Sequence, residues 1–157
     1  MLMALKGYNM DIQVRFAEND ELHEVVKLSK AFEDEHICNG LVADDYEYFT
    51  KRNVIIAIVD KKVVGYCYGT IDTKKRRLAY INEGTKYLYL DEIYVKKEYR
   101  SQGIGRKLFE YIEKYAKVNG CEAMELTSAS KDYKAALKFY VDMMNMDYNS
   151  STIIKKL

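Results

Sequence analysis

The sequence predicts a single α/β domain built on one continuous β-sheet. Its 157 residues fit the length of one domain, and the absence of proline excludes Pro-rich linkers. Hydrophobic residues make up 48% of the chain and charged residues 31%, a composition typical of a globular protein with a substantial core. Strand-like and helix-like segments alternate through the second half of the chain, as they do in α/β domains.

The chain opens with a predicted strand and a predicted helix. Apolar and polar residues alternate over 11–16, which indicates a strand. A helix over 21–36 follows, because apolar residues recur there at helical spacing behind an acidic N-cap. A short helix over 46–51, capped by Asp44 or Asp45, is also predicted.

The middle of the chain predicts three strands. Two runs rich in β-branched and aromatic residues lie on either side of the polar turn 60–62, which is typical of a hairpin. A polar segment over 74–86 separates this hairpin from a further strand over 87–95, which is rich in tyrosine and aliphatic residues.

The second half contains the strongest helical pattern of the chain. Apolar residues recur at helical spacing from Ile104 to Ala116, and Asn119–Gly120 is a stop signal. A strand over 123–130, a helix over 131–144 and a final strand over 147–157 complete the prediction.

Charge and cysteine content exclude several classes of function. The net charge is +1, so the overall field favours neither nucleic acid nor an anionic membrane, and we interpret the basic cluster 74–77 as a solvated loop. No run approaches the ~20 apolar residues of a membrane span, and the apolar run at the N-terminus is too short for a signal peptide. Three cysteines without CxxC spacing predict thiols of a reducing cytoplasm, with neither disulfide nor metal site.

One motif carries a chemical function. The segment Arg100–Gly105 joins a strand to a long helix, and its glycines allow backbone N–H groups to approach an anion at the positive end of the helix dipole. A tight strand-to-helix turn without a ligand is the alternative. The Walker A and dinucleotide motifs are not satisfied, because Leu108 stands where the third glycine of GxGxxG would fall.

This motif resembles the (Q/R)xxGx(G/A) signature of the GNAT-type N-acetyltransferase superfamily, with Arg100, Gly103 and Gly105 at its defined positions. The likeness extends over nearly the whole chain, and LDEIYV is similar to the segment found in diamine-type acetyltransferases. The resemblance implies a mixed, mostly antiparallel sheet of about six to seven strands flanked by about four helices. It also implies that the chain is an enzyme.

The resemblance implies acetyl-CoA as the cofactor. Its pyrophosphate is expected on backbone amides of the loop and helix start, and its pantetheine arm along the fourth strand. The residues expected to bind it are Ile93, Tyr94, Val95, Arg100, Ser101, Gln102, Gly103, Ile104, Gly105, Arg106, Tyr133 and Ala136.

The chain departs from the family pattern at three places. Tyr133 replaces the usual asparagine seven residues before the catalytic tyrosine, so its ring is expected to pack on the pantetheine arm. Lys97 replaces a common proline, so loop rigidity must come from the packing of Tyr99 and from the cofactor. Asn145 replaces a glycine and is expected in the left-handed conformation.

Acetyl transfer from a thioester to an amine needs a base, a donor to the developing oxyanion and an acid for the thiolate. The resemblance assigns the donor to the Ile93 backbone N–H and the acid to Tyr140, whose phenol stays protonated at neutral pH. Glu92 is our first candidate for the base and Asp91 the second; a water relay to another acceptor is the alternative. Adjacent strand residues point to opposite faces, so at most one of the two carboxylates faces the acetyl group unless a bulge intervenes.

The acceptor amine is left open by the sequence. Five acidic residues suit a small cationic amine if they line the cleft, and otherwise form a solvated face: Glu33, Asp34, Glu35, Asp44 and Asp45. A protein N-terminus or a lysine side chain is also compatible. The alternative function is a non-catalytic acyl-CoA sensor on the same fold. We expect neither nucleic acid nor membrane as partner, and a homodimer is compatible with the many tyrosines.

Overall fold

The computed structural model describes residues 10–156, so the apolar run at the N-terminus and Leu157 lie outside it. The five strands are β1 (Ile12–Phe16), β2 (Ile55–Val59), β3 (Lys62–Thr73), β4 (Lys86–Val95) and β5 (Ala123–Glu125). The four α-helices are α1 (Leu22–Asp34), α2 (Tyr46–Thr50), α3 (Ile104–Val118) and α4 (Tyr133–Leu137). Short 3₁₀ turns cover Asn19–Glu21 and Lys97–Tyr99, and a π-helical segment, Lys138–Met143, continues α4.

The strands form one mixed sheet in the order β1-β2-β3-β4-β5, with only β4 and β5 parallel. This confirms the α/β class and the mostly antiparallel sheet. The count of six to seven strands is wrong, because the described residues form five. The predicted last strand takes no regular structure over 147–156, and Ile153 is 92% exposed there. Strand propensity reflects how well side chains pack on a sheet, but a strand also needs a neighbouring strand to hydrogen-bond with its backbone.

The structure contains the turn, the helix cap and the left-handed asparagine that the sequence predicts. Asp60 and Lys61 take the left-handed conformation, with φ of 47° and 62°, which turns β2 directly into β3. Asp45 caps α2 by accepting from the Tyr48 N–H at 2.8 Å. Asn145 has a φ of 57°, which confirms its predicted conformation.

The sheet separates two apolar clusters. On one face it packs against α3, whose buried residues recur every four positions at Ile104, Leu108, Ile112 and Ala116. On the other face it packs against α1 and α2, where buried aromatic rings dominate. Each fully buried aliphatic side chain contributes about 1.5–3 kcal/mol, so the sheet is held firmly between its helices. Among residues 10–156, no helix has the length and apolar character required to cross a membrane.

Candidate active site

A β-bulge in β4 decides where the two candidate carboxylates point. Tyr68 pairs with Glu92 across the sheet, but its neighbour Gly69 pairs with Leu90, so Asp91 is an extra residue in β4. Asp91 is exposed and accepts a hydrogen bond from Thr70 Oγ1 at 2.7 Å. Glu92 turns into the molecule instead. The bulge foreseen as a possibility in the sequence is therefore present, and it separates the surroundings of Asp91 and Glu92.

The bulge also reverses which residues of β4, even-numbered or odd-numbered, point toward α3. Before it, Leu88 and Leu90 pack in the cluster beneath α3. After it, Ile93 packs toward α3, whereas Tyr94 packs toward α1. Glu92 lies on the same side as Tyr94, at the edge of the aromatic cluster. A carboxylate is thereby brought into a largely apolar setting.

The surroundings of Glu92 bring its titration close to neutral pH. Burial, together with the charges of Asp44 and Asp91, raises the pKa of Glu92 to about 7. A hydrogen bond from the Tyr66 hydroxyl to Glu92 Oε1 opposes this rise by stabilising the charged form. A carboxyl group in this state can accept a proton at physiological pH.

Tyr140 lies in the π-helical segment and packs on aromatic rings. Its ring centroid is 5.0 Å from that of Phe139 and 6.3 Å from that of Phe109. Burial raises the pKa of Tyr140 to about 12, so the phenol keeps its proton at neutral pH. Its hydroxyl makes no hydrogen bond within the described part of the chain, where no fully buried polar side-chain atom lacks a partner, so the hydroxyl is not sealed from solvent.

Cys38 lies within electrostatic range of both Glu92 and Tyr140. The charge of Glu92 raises the pKa of Cys38, although burial is the larger cause, and Cys38 in turn contributes to the raised pKa of Tyr140. Cys38 is held there by a short ladder with Ser130, flanked by a hydrogen bond from the Asn39 N–H to the Ala129 carbonyl at 2.9 Å. The sequence gives no signal for the role of Cys38, because an isolated cysteine does not indicate its spatial neighbours.

Beyond the bulge, one edge of β4 is open. β5 pairs with β4 only over Tyr87–Tyr89, and no other strand of residues 10–156 pairs with this edge. The Lys96 N–H donates to the Val64 carbonyl of β3, so alternation along the strand turns the backbone of Ile93 and Val95 toward the open edge. The Ile93 N–H is thus placed where a ligand could accept from it.

The loop before α3 exposes further backbone donors. Ser101 and Gly103 take the left-handed conformation, with φ of 61° and 83°. The first hydrogen bond of α3 runs from the Lys107 N–H to the Gly103 carbonyl, and no side chain caps the helix. The N–H groups at Ile104–Arg106 therefore have no acceptor in the helix and point to its N-terminal end, which suits an anion.

The two signature glycines differ in what their positions require. Gly103 has open space around its Cα, so its requirement is the positive φ rather than a close contact. A Cβ at Gly105 would lie 3.5 Å from the Phe139 ring, an ordinary van der Waals contact, so α3 packs directly on the segment that carries Tyr140 without requiring glycine there. The loop and the phenol are thereby brought together.

The remaining predicted cofactor residues have varied surroundings. The Arg100 guanidinium bonds to the Val95 carbonyl and to Glu35, and Tyr94 is 3% exposed, so these two side chains hold the loop rather than face a ligand. Tyr133 is 62% exposed at the start of α4. The exposed and half-buried remainder comprises Ser101, Gln102, Arg106 and Ala136.

Of the five acidic residues suggested for the acceptor, only Asp44 approaches Glu92. Glu33 and Asp34 pair with Lys30, and Asp45 caps α2. Asp44 accepts from the Tyr68 hydroxyl at 3.2 Å, and burial raises the pKa of its carboxyl group.

The chain is similar to several known proteins. A model of the Acetyltransferase (GNAT) family matches residues 16–145. The thialysine N-epsilon-acetyltransferase of Bos taurus is 46% identical over 39 residues, which are 25% of this chain and 23% of that protein. The match thus spans about a quarter of the length of that curated relative.

Solved structures share the fold over almost the whole chain. The tetramutant of the BH1408 protein from Bacillus halodurans has a TM-score of 0.73 at 21% identity, covering 92% of this chain and 99% of that one. The aminoglycoside N-acetyltransferase AAC(6')-Iy in complex with CoA has a TM-score of 0.68 at 18% identity, covering 92% and 98%.

Proposed function

Since the chain belongs to the GNAT acetyltransferase family, we propose that it transfers the acetyl group of acetyl-CoA to a primary amine by direct attack in a ternary complex. The observation that carries this proposal is the placement of two titratable groups around Cys38. Glu92, with a pKa of about 7, can take a proton, and Tyr140, with a pKa of about 12, can give one.

The backbone donors supply the cofactor site. The N–H groups over 102–106 would hold the pyrophosphate at the start of α3, and the open edge of β4 at Ile93 and Val95 would hold the pantetheine arm as an additional strand. When bound, acetyl-CoA supplies the activated thioester. The Ile93 N–H would donate to the carbonyl oxygen as negative charge develops on it.

The side chains divide the proton transfers between them. Glu92 takes the proton that the attacking amine nitrogen loses, and Tyr140 gives its proton to the departing sulfur. Burial supports both roles, because it raises the pKa of each group to a value that suits its task. Asp91 is the weaker candidate for the base, because it is exposed and bonded to Thr70.

Calorimetric titration with acetyl-CoA tests the cofactor site. Wild-type protein is expected to bind, and Gly103→Glu is expected to lose binding, because the variant strains the loop and places a negative charge beside the pyrophosphate. Gly84→Glu is the matched control, since Gly84 also has a positive φ, of 82°, and open space around it, but lies in the β3–β4 connection. Wild-type protein that does not bind acetyl-CoA would refute the proposal.

We propose a small cationic amine as the acceptor. Three carboxylates support this. The charges of Asp44 and Asp91 raise the pKa of Glu92, and a cation would relieve this repulsion. A thiol-release assay over polyamines, amino acids, aminoglycosides and peptide N-termini tests the class. Binding of acetyl-CoA without turnover of any amine would instead indicate a non-catalytic acyl-CoA sensor.

A further inference from the structure

Glu92 is bound by a tyrosine that the mechanism above does not use. The hydroxyl of Tyr66 donates to Glu92 Oε1, and no other side chain within residues 10–156 forms a hydrogen bond with Glu92. Within the same residues, Oε2 accepts no hydrogen bond. Because an ionised carboxylate accepts more strongly than a neutral one, this bond favours the charged form of Glu92.

Tyr66 is held rigidly in the aromatic cluster. Its side chain is completely buried, and its ring centroid lies 5.9 Å from that of Phe49 and 6.0 Å from that of Tyr94. Burial raises the pKa of Tyr66 far above its ordinary value, so its hydroxyl keeps its proton and remains a donor throughout the working pH range.

Ser29 of α1 completes this buried chain of polar groups. Ser29 is 2% exposed, and its Oγ accepts from the Asp44 N–H at 3.0 Å. The Ser29 side chain lowers the pKa of Tyr66, which opposes the effect of burial. A more acidic hydroxyl donates more strongly, so we expect Ser29 to reinforce the bond from Tyr66 to Glu92.

We propose that Tyr66, supported by Ser29, is a positioning residue that holds Oε1 of Glu92 and directs Oε2 toward the acceptor amine. The inference rests on the proposed role of Glu92 as the base. The other groups that face Glu92 are Asp91 of β4, Tyr68 of β3, Asp44 before α2 and Cys38 after α1, and none of these supplies a competing hydrogen bond.

The test measures the ionisation of Glu92 without substrate or cofactor. The full chain is labelled with ¹³C-glutamate, the Glu92 carboxyl signal is assigned by its loss in Glu92→Gln, and the signal is followed as a function of pH. Tyr66→Phe keeps the ring and removes the donor, so the pKa of Glu92 is expected to rise by about one pH unit. Ser29→Ala is expected to raise it by less, in the same direction.

Tyr115→Phe is the control, because Tyr115 accepts its hydrogen bond from Asn53 and packs on the face that carries α3. It is expected to leave the pKa of Glu92 unchanged. An unchanged pKa in Tyr66→Phe would overturn the proposal. If Tyr66→Phe does not fold, an unchanged pKa in Ser29→Ala decides against the proposal and a raised one supports it.

Activity separates this inference from the proposed function. If Glu92 is the base, the acid limb of kcat/KM in Tyr66→Phe moves to higher pH by as much as the pKa of Glu92 rises. A raised pKa with an unmoved limb supports the bond between Tyr66 and Glu92 but overturns Glu92 as the base. A role of Tyr66 in folding alone would move neither quantity.

Discussion

Arg100 and Glu35 form an ion pair, with Nη2 of Arg100 2.8 Å from Oε1 of Glu35, that ties the loop before α3 to the end of α1. The same Oε1 accepts from the Tyr94 hydroxyl at 2.6 Å, and Nε of Arg100 donates to the Val95 carbonyl at 2.8 Å. Arg100 therefore anchors the loop to both β4 and α1, although Lys97 stands where a proline would restrict it. Glu35 thus takes a structural role that its position in an acidic run does not indicate.

Removal of this anchor should weaken cofactor binding. In Glu35→Ala, Arg100 loses its charged partner and the left-handed conformations at Ser101 and Gly103 are less well held. Because the pair is partly exposed, we expect a loss of about 1 kcal/mol, or roughly fivefold in the Kd for acetyl-CoA by calorimetry. Glu24→Ala, which removes an exposed α1 pair with Lys27, is expected to leave the Kd unchanged. Equal Kd values for wild type and Glu35→Ala would contradict the expectation.

The same loop should tighten when the cofactor binds. Amides over 96–102 are expected to exchange hydrogen more slowly with acetyl-CoA present, because a ligand held at the start of α3 restricts the local opening of the adjacent loop. The turn at 60–61 joins β2 to β3 and provides the reference segment. Mass-spectrometric exchange that ignores the cofactor at 96–102 would count against the predicted site.

Tyr140→Phe should affect turnover and leave cofactor binding intact. The substitution removes the proton donor to sulfur and keeps the ring that packs on Phe139, so kcat is expected to fall by about 10²-fold or more while the Kd for acetyl-CoA changes little. Tyr148→Phe, at an exposed position, is the control. An undiminished rate would assign Tyr140 to the core. Because the pKa of Tyr140 is about 12, its loss of the proton should cause no fall in activity below about pH 10.

Glu92 should determine the acid limb of the pH profile. A base acts when deprotonated, so kcat/KM is expected to rise with pH through about 7, the pKa of Glu92. Glu92→Gln should lower the rate and remove this limb, whereas Asp91→Asn should retain it. If the limb persists in Glu92→Gln, another acceptor or a water relay receives the proton.

Glu92 should also lower stability in alkaline solution. Its pKa in the folded state, about 7, is above the ordinary glutamate value of 4.5, so the folded protein holds this proton more tightly than the unfolded chain does. The contribution of Glu92 to the free energy of unfolding is fully present below about pH 4.5 and is lost as the pH rises through about 7. Denaturant unfolding should therefore show Glu92→Gln gaining on the order of 2 kcal/mol relative to wild type between pH 4.5 and pH 8. A constant difference would contradict the raised pKa.

Much of the fold could be predicted from the sequence, because its signals are local. The turn at Asp60–Lys61, the cap at Asp45, the periodicity of α3 and the glycines at 103 and 105 each depend on residues a few positions apart. The final strand was predicted wrongly because a strand requires a distant partner edge.

The candidate site was predicted only in outline. The types of residue at Glu92 and Tyr140 and their membership of a strand and a helix could be inferred from the motif. Their surroundings could not, because Cys38, Tyr66 and Ser29 are distant in sequence and only folding places them near Glu92.

The sequence by itself determined the order of elements up to the final predicted strand, the glycine turn before α3 and the family, since backbone conformation there follows from nearby side chains. The tertiary structure alone decided which carboxylate turns inward, because the bulge at Asp91 arises from the pairing of β4 with β3. It also decided the ionisation of Glu92, because burial and a hydrogen bond from another strand act on a carboxyl group only after the sheet has formed.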